Sequence, residues 1–202
     1  MSAREAPAPE SAGDPIARFQ ELFAAARARE TADATAAALA TAGLDGAPSV
    51  RMVLVKEVDA HGFRFFTNLG SRKARELEEN PRAALCFHWP TLQRQVRVEG
   101  PVEPLPGEEA DAYFASRARE SQIGAWASRQ SATLSARAEL EERCNRVAER
   151  YAGALVPRPP FWGGFLLVPE RIEIWSGGEH RLHDRELFHR QATGWSMERL
   201  YP

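Results

Sequence analysis

Residues 49–67 read Ser49-Val-Arg-Met-Val-Leu-Val-Lys-Glu-Val-Asp-Ala-His-Gly-Phe-Arg-Phe-Phe-Thr67. Ser49–Val55 is rich in β-branched residues, Asp59-Ala-His-Gly62 is a turn, and Phe63–Thr67 is a second β-forming run. That order predicts two strands joined by a hairpin-type turn. Upstream, an apolar, Ala-rich segment from Thr35 to Thr41 and a turn at Asp45-Gly46 add a third strand. Downstream, Ala83–Trp89 and Gln93–Glu99 continue the pattern across a Pro-Thr turn, and Phe165–Val168, Arg171–Trp175, Glu186–Arg190 and Trp195–Arg199 resume it near the C-terminus. About seven or eight short antiparallel strands with helices inserted predict a mainly β, α+β chain whose sheet closes or nearly closes into a barrel.

The helices are predicted from their ends and their period. Asp14-Pro15 places a capping acid before proline at the first helical position, and Ile16, Phe19, Leu22 and Phe23 recur at helical spacing through Ala28. Ser71 is expected to cap a short helix through Glu79, stopped at Asn80-Pro81. Gly107–Ser116, Glu120–Ser128 and Leu134–Tyr151 form a helical half, followed by a Pro-rich connection over Leu155–Pro160. Residues 1–13, rich in Ala, Pro, Ser and Glu, carry no periodic apolar positions and are expected to be a disordered tail, leaving 14–202 as one domain.

With 26 basic and 28 acidic residues the formal net charge is −2, so no global field favours nucleic acid or an anionic membrane. Any anion site must be a local cluster. No apolar run approaches the roughly 18 residues of a membrane helix, and the N-terminus lacks the apolar core of a secretory signal. Cys86 and Cys144 are expected to be reduced thiols, which with the missing signal places the protein in the cytoplasm.

Two local clusters stand out. Ile174–Arg185 reads IWSGGEHRLHDR: a strand, a Gly177-Gly178 break, then Arg181, His183 and Arg185 on alternate residues. In an extended chain those three side chains share a face, beside Trp175. Two guanidiniums, an imidazole and an indole suit a flat, anionic ligand. Arg72 and Lys73 fall in the first turn of the helix after Ser71, where free N–H groups and the helix dipole attract an anion. Such a pair is commonly a solvated surface dipeptide. Arg51 and Lys56 strengthen the anion reading, although strand alternation puts them on opposite faces. His180 and His183 lack the Cys or carboxylate partners of a metal site, and none is expected.

Arg51-Met-Val-Leu-Val-Lys56, Thr67-Asn-Leu-Gly-Ser-Arg-Lys73, Arg94-Gln-Val96, Ser121-Gln-Ile-Gly-Ala-Trp126, Arg129-Gln-Ser131, Phe161-Trp-Gly-Gly164, the RLHDR stretch and Arg199-Leu-Tyr-Pro202 occur in that order. From about Asp14 to the C-terminus the series resembles the pyridoxamine 5'-phosphate oxidase family. The resemblance implies a flavin-binding split β-barrel of antiparallel Greek-key type, acting as a homodimer with flavin mononucleotide (FMN) at the interface. It implies FMN-dependent oxidation of pyridoxamine 5'-phosphate and pyridoxine 5'-phosphate by O2 to pyridoxal 5'-phosphate and H2O2.

By the same resemblance, Arg51, Met52, Val53, Leu54, Val55, Lys56, Phe66, Thr67, Arg72, Lys73, Gln95, Gln130, Ser131, Trp175 and Arg185 are the expected FMN ligands. Lys56, Tyr113, Arg117, Ser121, Arg181, Leu182 and His183 are the expected substrate residues, with Arg181 and His183 orienting the ring for catalysis. Phe66 stands where relatives often have Tyr. Tyr113 and Arg117, four apart, would share a helix face if that helix continues. Relatives usually carry a longer, basic N-terminal arm, whereas Met1–Gly13 is short, with a lone Arg4. Two alternatives stay open: a related flavin oxidase acting on another planar acid such as a phenazine precursor, or a non-catalytic protein that carries flavin or pyridoxal phosphate.

Overall fold

The structure, a computed structural model, describes residues 13–202; apart from Gly13, the expected tail lies outside them. Helix α1 spans Pro15–Arg29, and β1 (Ala36–Ala42), β2 (Pro48–Asp59) and β3 (Gly62–Asn68) follow it. Then come α2 (Arg72–Glu79), β4 (Arg82–Trp89), β5 (Arg94–Pro104), α3 (Gly107–Ser116), α4 (Arg119–Ala127) and α5 (Arg137–Arg150). The chain ends on β6 (Trp162–Leu167), β7 (Arg171–Ser176), β8 (Asp184–Arg190) and β9 (Trp195–Arg199). Nine strands are present among the described residues, one for each strand-forming run named from the sequence, although their expected total was about seven or eight.

Strands β4-β1-β2-β3-β6-β5 pair in that order, and β5 pairs again with β4, which closes a six-stranded antiparallel barrel. Strands β7, β8 and β9 extend from β5 outside that ring. Strand β5 belongs to both parts. Its Val102–Pro104 end pairs with β6, and Arg94–Glu99 pairs with β7. Gly100 lies at the changeover, where an added Cβ would meet the Val168 carbonyl oxygen at 1.9 Å. The β6–β7 link crosses β5 there and bonds to it through Val168 N–H to Pro101 O and Glu170 N–H to Glu99 O, at 2.9 Å each. Only a residue without a side chain lets two backbones approach so closely.

Helix α1 plugs the barrel. Asp14 Oδ1 accepts the Ile16 N–H at 2.9 Å, capping the helix as its sequence predicts. Phe19, fully buried, meets Phe63 at 4.8 Å, Phe87 at 4.9 Å and Trp89 at 5.6 Å between ring centroids. Truncating such a ring costs about 3–5 kcal/mol. A smaller apolar cluster of Ala110, Phe114, Val156 and Trp162 seats α3 against β6. No helix among the described residues is long and apolar enough to cross a membrane.

Several boundaries differ from expectation. Strand β6 starts at Trp162, three residues early, because it pairs with β3 as far as Asn68. Helix α5 starts at Arg137 rather than Leu134 and has no buried residue. Ser71 sits at the N-cap of α2, but its side chain makes no capping bond there. It accepts the Lys73 ammonium instead.

Candidate functional site

Lys73 is the centre of the first cluster. Its Nζ donates to Thr67 Oγ1 at 3.1 Å, Ser71 Oγ at 3.3 Å and Gln130 Oε1 at 3.2 Å, and only 6% of the residue is exposed. Burial, with the nearby Arg51 charge, lowers its pKa to about 8, and the Glu76 charge opposes the shift only partly. Thr67 Oγ1 also donates to Gln130 Oε1 at 3.0 Å, and the Arg72 N–H donates to Ser131 Oγ at 3.1 Å. Five expected ligands from distant parts of the chain, Thr67, Arg72, Lys73, Gln130 and Ser131, thus meet at the start of α2.

Arg51 is tied into the chain by hydrogen bonds of its own. Its guanidinium donates to Leu39 O at 3.2 Å, to the Thr41 and Ser49 hydroxyls, and to Glu76 Oε2 at 3.2 Å. Those four bonds make it a brace between β1, β2 and α2. Glu76, which sequence reasoning missed, also accepts Arg72 Nε at 2.7 Å. Burial alone would raise the Glu76 carboxyl, but hydrogen bonds from Ser49, Thr41, Arg72 and Arg51 bring its pKa down to about 2. On the rest of β2, Val53 and Val55 point into the core, whereas Met52 and Leu54 face outward.

Adjoining this cluster is a cavity of about 430 Å³ lined by Leu54, Lys56, Phe66, Thr67, Tyr113, Arg117, Ser121 and Gln130, with Trp162. Phe66 stacks on Tyr113 at 4.0 Å and on Trp162 at 5.5 Å, giving an aromatic wall. Lys56 donates to Thr35 Oγ1 at 3.3 Å. Tyr113 and Arg117 do not share a helix face, because α3 ends at Ser116 and Arg117 is its extended C-cap. Arg117 reaches the cavity from that bend, with its guanidinium 5.0 Å from the Trp162 ring centroid. Its Nη1 is buried without a hydrogen-bond partner among the described residues, and burial lowers its pKa. A guanidinium nitrogen buried without an acceptor calls for an anion.

The second cluster lies on the extension. Gln95 pairs with Trp175, and Trp175 with Arg185, so three expected ligands form one row across β5, β7 and β8. Glu173, two residues before Trp175 on the same face, is 3% exposed. Its carboxylate takes Arg185 Nε at 3.0 Å and Nη2 at 3.1 Å, and also pairs with Arg97. Burial would raise the Glu173 pKa, but the Arg185 and Arg97 contacts lower it; the same bond raises Arg185. Arg185 Nη1 donates to the Tyr201 carbonyl at 2.9 Å. Glu173 was also missed, and its signal was a lone carboxylate between Ile172 and Ile174.

The expected single face for Arg181, His183 and Arg185 is not formed. Glu179–Arg181 is a 3-10 turn in which His180 (φ 55°) and Arg181 (φ 66°) are left-handed, and β8 begins only at Asp184. Arg181 and Leu182 are exposed. His183 packs 4.6 Å from the Trp175 ring, and its Nδ1 accepts the Gly178 N–H at 3.1 Å. Gln95, Trp175, Arg181, His183 and Arg185 do not line the cavity that holds Arg117.

Residues 23–151 match the family model described as pyridoxamine 5'-phosphate oxidase, and 162–202 match the pyridoxine 5'-phosphate oxidase C-terminal dimerisation region. The chain is 63% identical to a pyridoxine/pyridoxamine 5'-phosphate oxidase of Anaeromyxobacter dehalogenans, over 96% of this chain and 98% of the relative. It is 56% identical to one from Myxococcus xanthus, over 94% and 92%. Among solved structures, PhzG from Burkholderia lata 383, in complex with tetrahydrophenazine-1-carboxylic acid, aligns with a TM-score of 0.89 at 30% identity, covering 96% of this chain and 95% of that one. A pyridoxamine 5'-phosphate oxidase-related, FMN binding protein of Nostoc punctiforme shares the fold, with a TM-score of 0.74 at 19% identity over 91% and 97%.

Proposed function

The chain belongs to the pyridoxamine 5'-phosphate oxidase family, and from that premise we propose how its residues divide the reaction. The protein is an FMN-dependent oxidase of pyridoxamine 5'-phosphate and pyridoxine 5'-phosphate. Pyridoxine phosphate and O2 give pyridoxal 5'-phosphate and H2O2; pyridoxamine phosphate also consumes water and releases ammonia. FMN, when bound, supplies the two-electron oxidant and passes the electrons to O2. The protein's part is binding and orientation.

The observation that carries this reading is a pair of cations without a hydrogen-bonded carboxylate, Lys73 buried and Arg117 half-buried with one nitrogen sealed from solvent. Lys73, among hydroxyl and amide groups only, fits the FMN phosphate, together with Arg72, Thr67, Gln130 and Ser131. Arg117, with an unsatisfied buried nitrogen, fits the substrate phosphate, beside Tyr113, Ser121 and Lys56. Gln95, Trp175 and Arg185 are assigned to the flavin ring. Arg181 and His183 are assigned to the substrate ring. The substrate's methylene or aminomethyl group is thereby held against the flavin.

These two sets do not share a cavity within one chain, and the homodimer supplies the reason. The match to a dimerisation region, and exposed apolar side chains at Val50 (70%), Met52 (64%) and Leu54 (43%) on β2, support a site assembled between protomers with FMN at the interface. A cytoplasmic location belongs to the same reading, supported by two free cysteines.

The test is anaerobic mixing of FMN-reconstituted protein with pyridoxamine 5'-phosphate while the flavin's visible absorbance is followed. Bleaching, with pyridoxal phosphate formed and colour restored by air, is the expected result. Persistent colour would remove the substrate assignment. Bleaching only by tetrahydrophenazine-1-carboxylic acid, the molecule bound in the Burkholderia lata structure, would favour another planar acid as substrate, and flavin reduced by neither would favour a carrier.

A further inference from the structure

We propose that Gly178 is a positioning residue for His183: its backbone N–H sets the imidazole tautomer, so that His183 meets the substrate as a hydrogen-bond donor through Nε2. The inference rests on the assignment of His183 to the substrate ring. It adds the direction of the bond, and therefore the kind of atom His183 can recognise.

An N–H can approach an imidazole nitrogen in the ring plane only where there is a lone pair. The Gly178 N–H lies 3.1 Å from His183 Nδ1, so in the neutral ring that nitrogen carries no proton and Nε2 carries it. The Trp175 ring, with its centroid 4.6 Å away at 45°, restricts the ring plane. Nε2–H is then the donor left to a ligand, and its partner must be an acceptor such as a ring oxygen.

The turn is built to bring residue 183 back over residue 178. An added Cβ at Gly178 would lie 2.0 Å from the Leu182 carbonyl oxygen and 2.8 Å from its carbon. Gly178 itself has φ −125°, so it is the close approach that demands glycine here. His180 and Arg181 adopt left-handed φ, which costs about 1 kcal/mol or more each for residues with a Cβ. The Leu182 N–H to Glu179 O bond at 3.0 Å closes the turn, and Gly177 N–H to Gln93 O at 2.9 Å ties it to the start of β5. Strain held by such ties is the mark of a conformation needed for its geometry.

The experiment uses holoenzyme labelled with 15N-histidine, with His183 assigned by comparison with His183→Gln. Long-range 1H–15N correlations report which ring nitrogen bears the proton. The expected result is a bare Nδ1 and a protonated Nε2 in the wild type. Gly178→Ala should then show mixed tautomers, with kcat lowered about tenfold, KM for pyridoxamine 5'-phosphate changed less, and FMN still bound. A protonated Nδ1 in the wild-type holoenzyme overturns the proposal, and that spectrum decides it even if the alanine variant does not fold. Separately, wild-type turnover by His183→Ala would remove the assignment of His183 to the substrate while leaving the tautomer measurement intact.

Discussion

The barrel side and the sheet extension treat their cations in opposite ways. Around α2 and α3, Lys73 is buried and Arg117 half-buried, with no carboxylate hydrogen-bonded to either. On β7 and β8, Arg185 is clamped by both oxygens of the buried Glu173. A cation left without a counter-charge binds an incoming anion strongly, because the anion relieves a desolvation cost already incurred. A cation already neutralised gains little from another anion, but its direction is fixed, which suits an oriented contact with a planar ring. Arg51 stands with the clamped kind although it lies on the barrel side, since Glu76 and three neighbouring oxygens hold it. The difference teaches that residue type alone does not separate a cation left open to an anion from one already held by its neighbours.

The largest effect that would break this comparison is at Arg117. Replacement by Met keeps the stem against Trp162 and removes the charge. It should lower kcat/KM for the phosphorylated substrate about 100-fold or more, with FMN content unchanged. An equal loss of FMN would mean that Arg117 does not serve the substrate alone.

Next is Lys73→Met, which should weaken FMN binding about 10–100-fold and raise the melting temperature of the apoprotein, because it removes a buried charge. The pH dependence has a definite sign. The folded pKa of about 8 lies below the ordinary lysine value of 10.5, so below pH 8 the folded apoprotein carries the full cost of the buried ammonium. As pH rises from about 8 toward 10.5 that cost is relieved and apoprotein stability gains. FMN affinity moves the other way, falling as the ammonium is lost. Titrations of wild type and variant should show both slopes, and both should vanish in Lys73→Met.

Glu173→Gln should have a smaller effect, lowering FMN affinity about tenfold or less by loosening Arg185. Because the Glu173 pKa is lowered in the folded state, its contribution to stability is present above the unfolded value and is lost as pH falls through the folded one. The variant should therefore show a flatter acid-unfolding curve. If FMN affinity is unchanged while Arg185→Ala loses it, Glu173 is a stability element only.

The smallest effect sharpens the comparison at one hydroxyl. Ser71→Ala should leave the capping of α2 unchanged, since Ser71 makes no cap bond, and should cost about 1 kcal/mol by removing one acceptor of the buried Lys73 ammonium. Asp14→Ala should cost about 1 kcal/mol, because Asp14 does cap α1. Ser71→Ala should also shift FMN affinity through Lys73, whereas Asp14→Ala should leave FMN affinity unchanged, and chemical denaturation beside FMN titration separates the two.

Elements with local signals were legible. Helix α1 carries its cap and its period within Asp14–Ala28, and Gly107–Ser116 and Trp195–Arg199 have the same bounds in sequence and structure. The turn at 179–183 was not legible, because nothing in the letters of His180 or Arg181 announces a positive φ. There the alternation rule put Arg181, His183 and Arg185 on one face, and the backbone did not keep to it. Glu76 and Glu173 escaped notice for another reason: a carboxylate among apolar strand residues or in a charged helix reveals its partner only when the partner is known. Arg51 reaches Glu76 across 25 residues, and Arg97 reaches Glu173 across 76.

By itself, then, the sequence determined the strands and helices, the supply of cations and aromatics, and the ordered motifs that mark the family, because these depend on local spacing and residue chemistry. Only the tertiary structure decided which cations are buried without a carboxylate and which are clamped. That depends on barrel closure and strand register, which bring Lys73 to Gln130 across 57 residues and Arg185 to Glu173 across a strand pair. The free energy of a charge is set by what surrounds it, and those surroundings come into being when the chain closes.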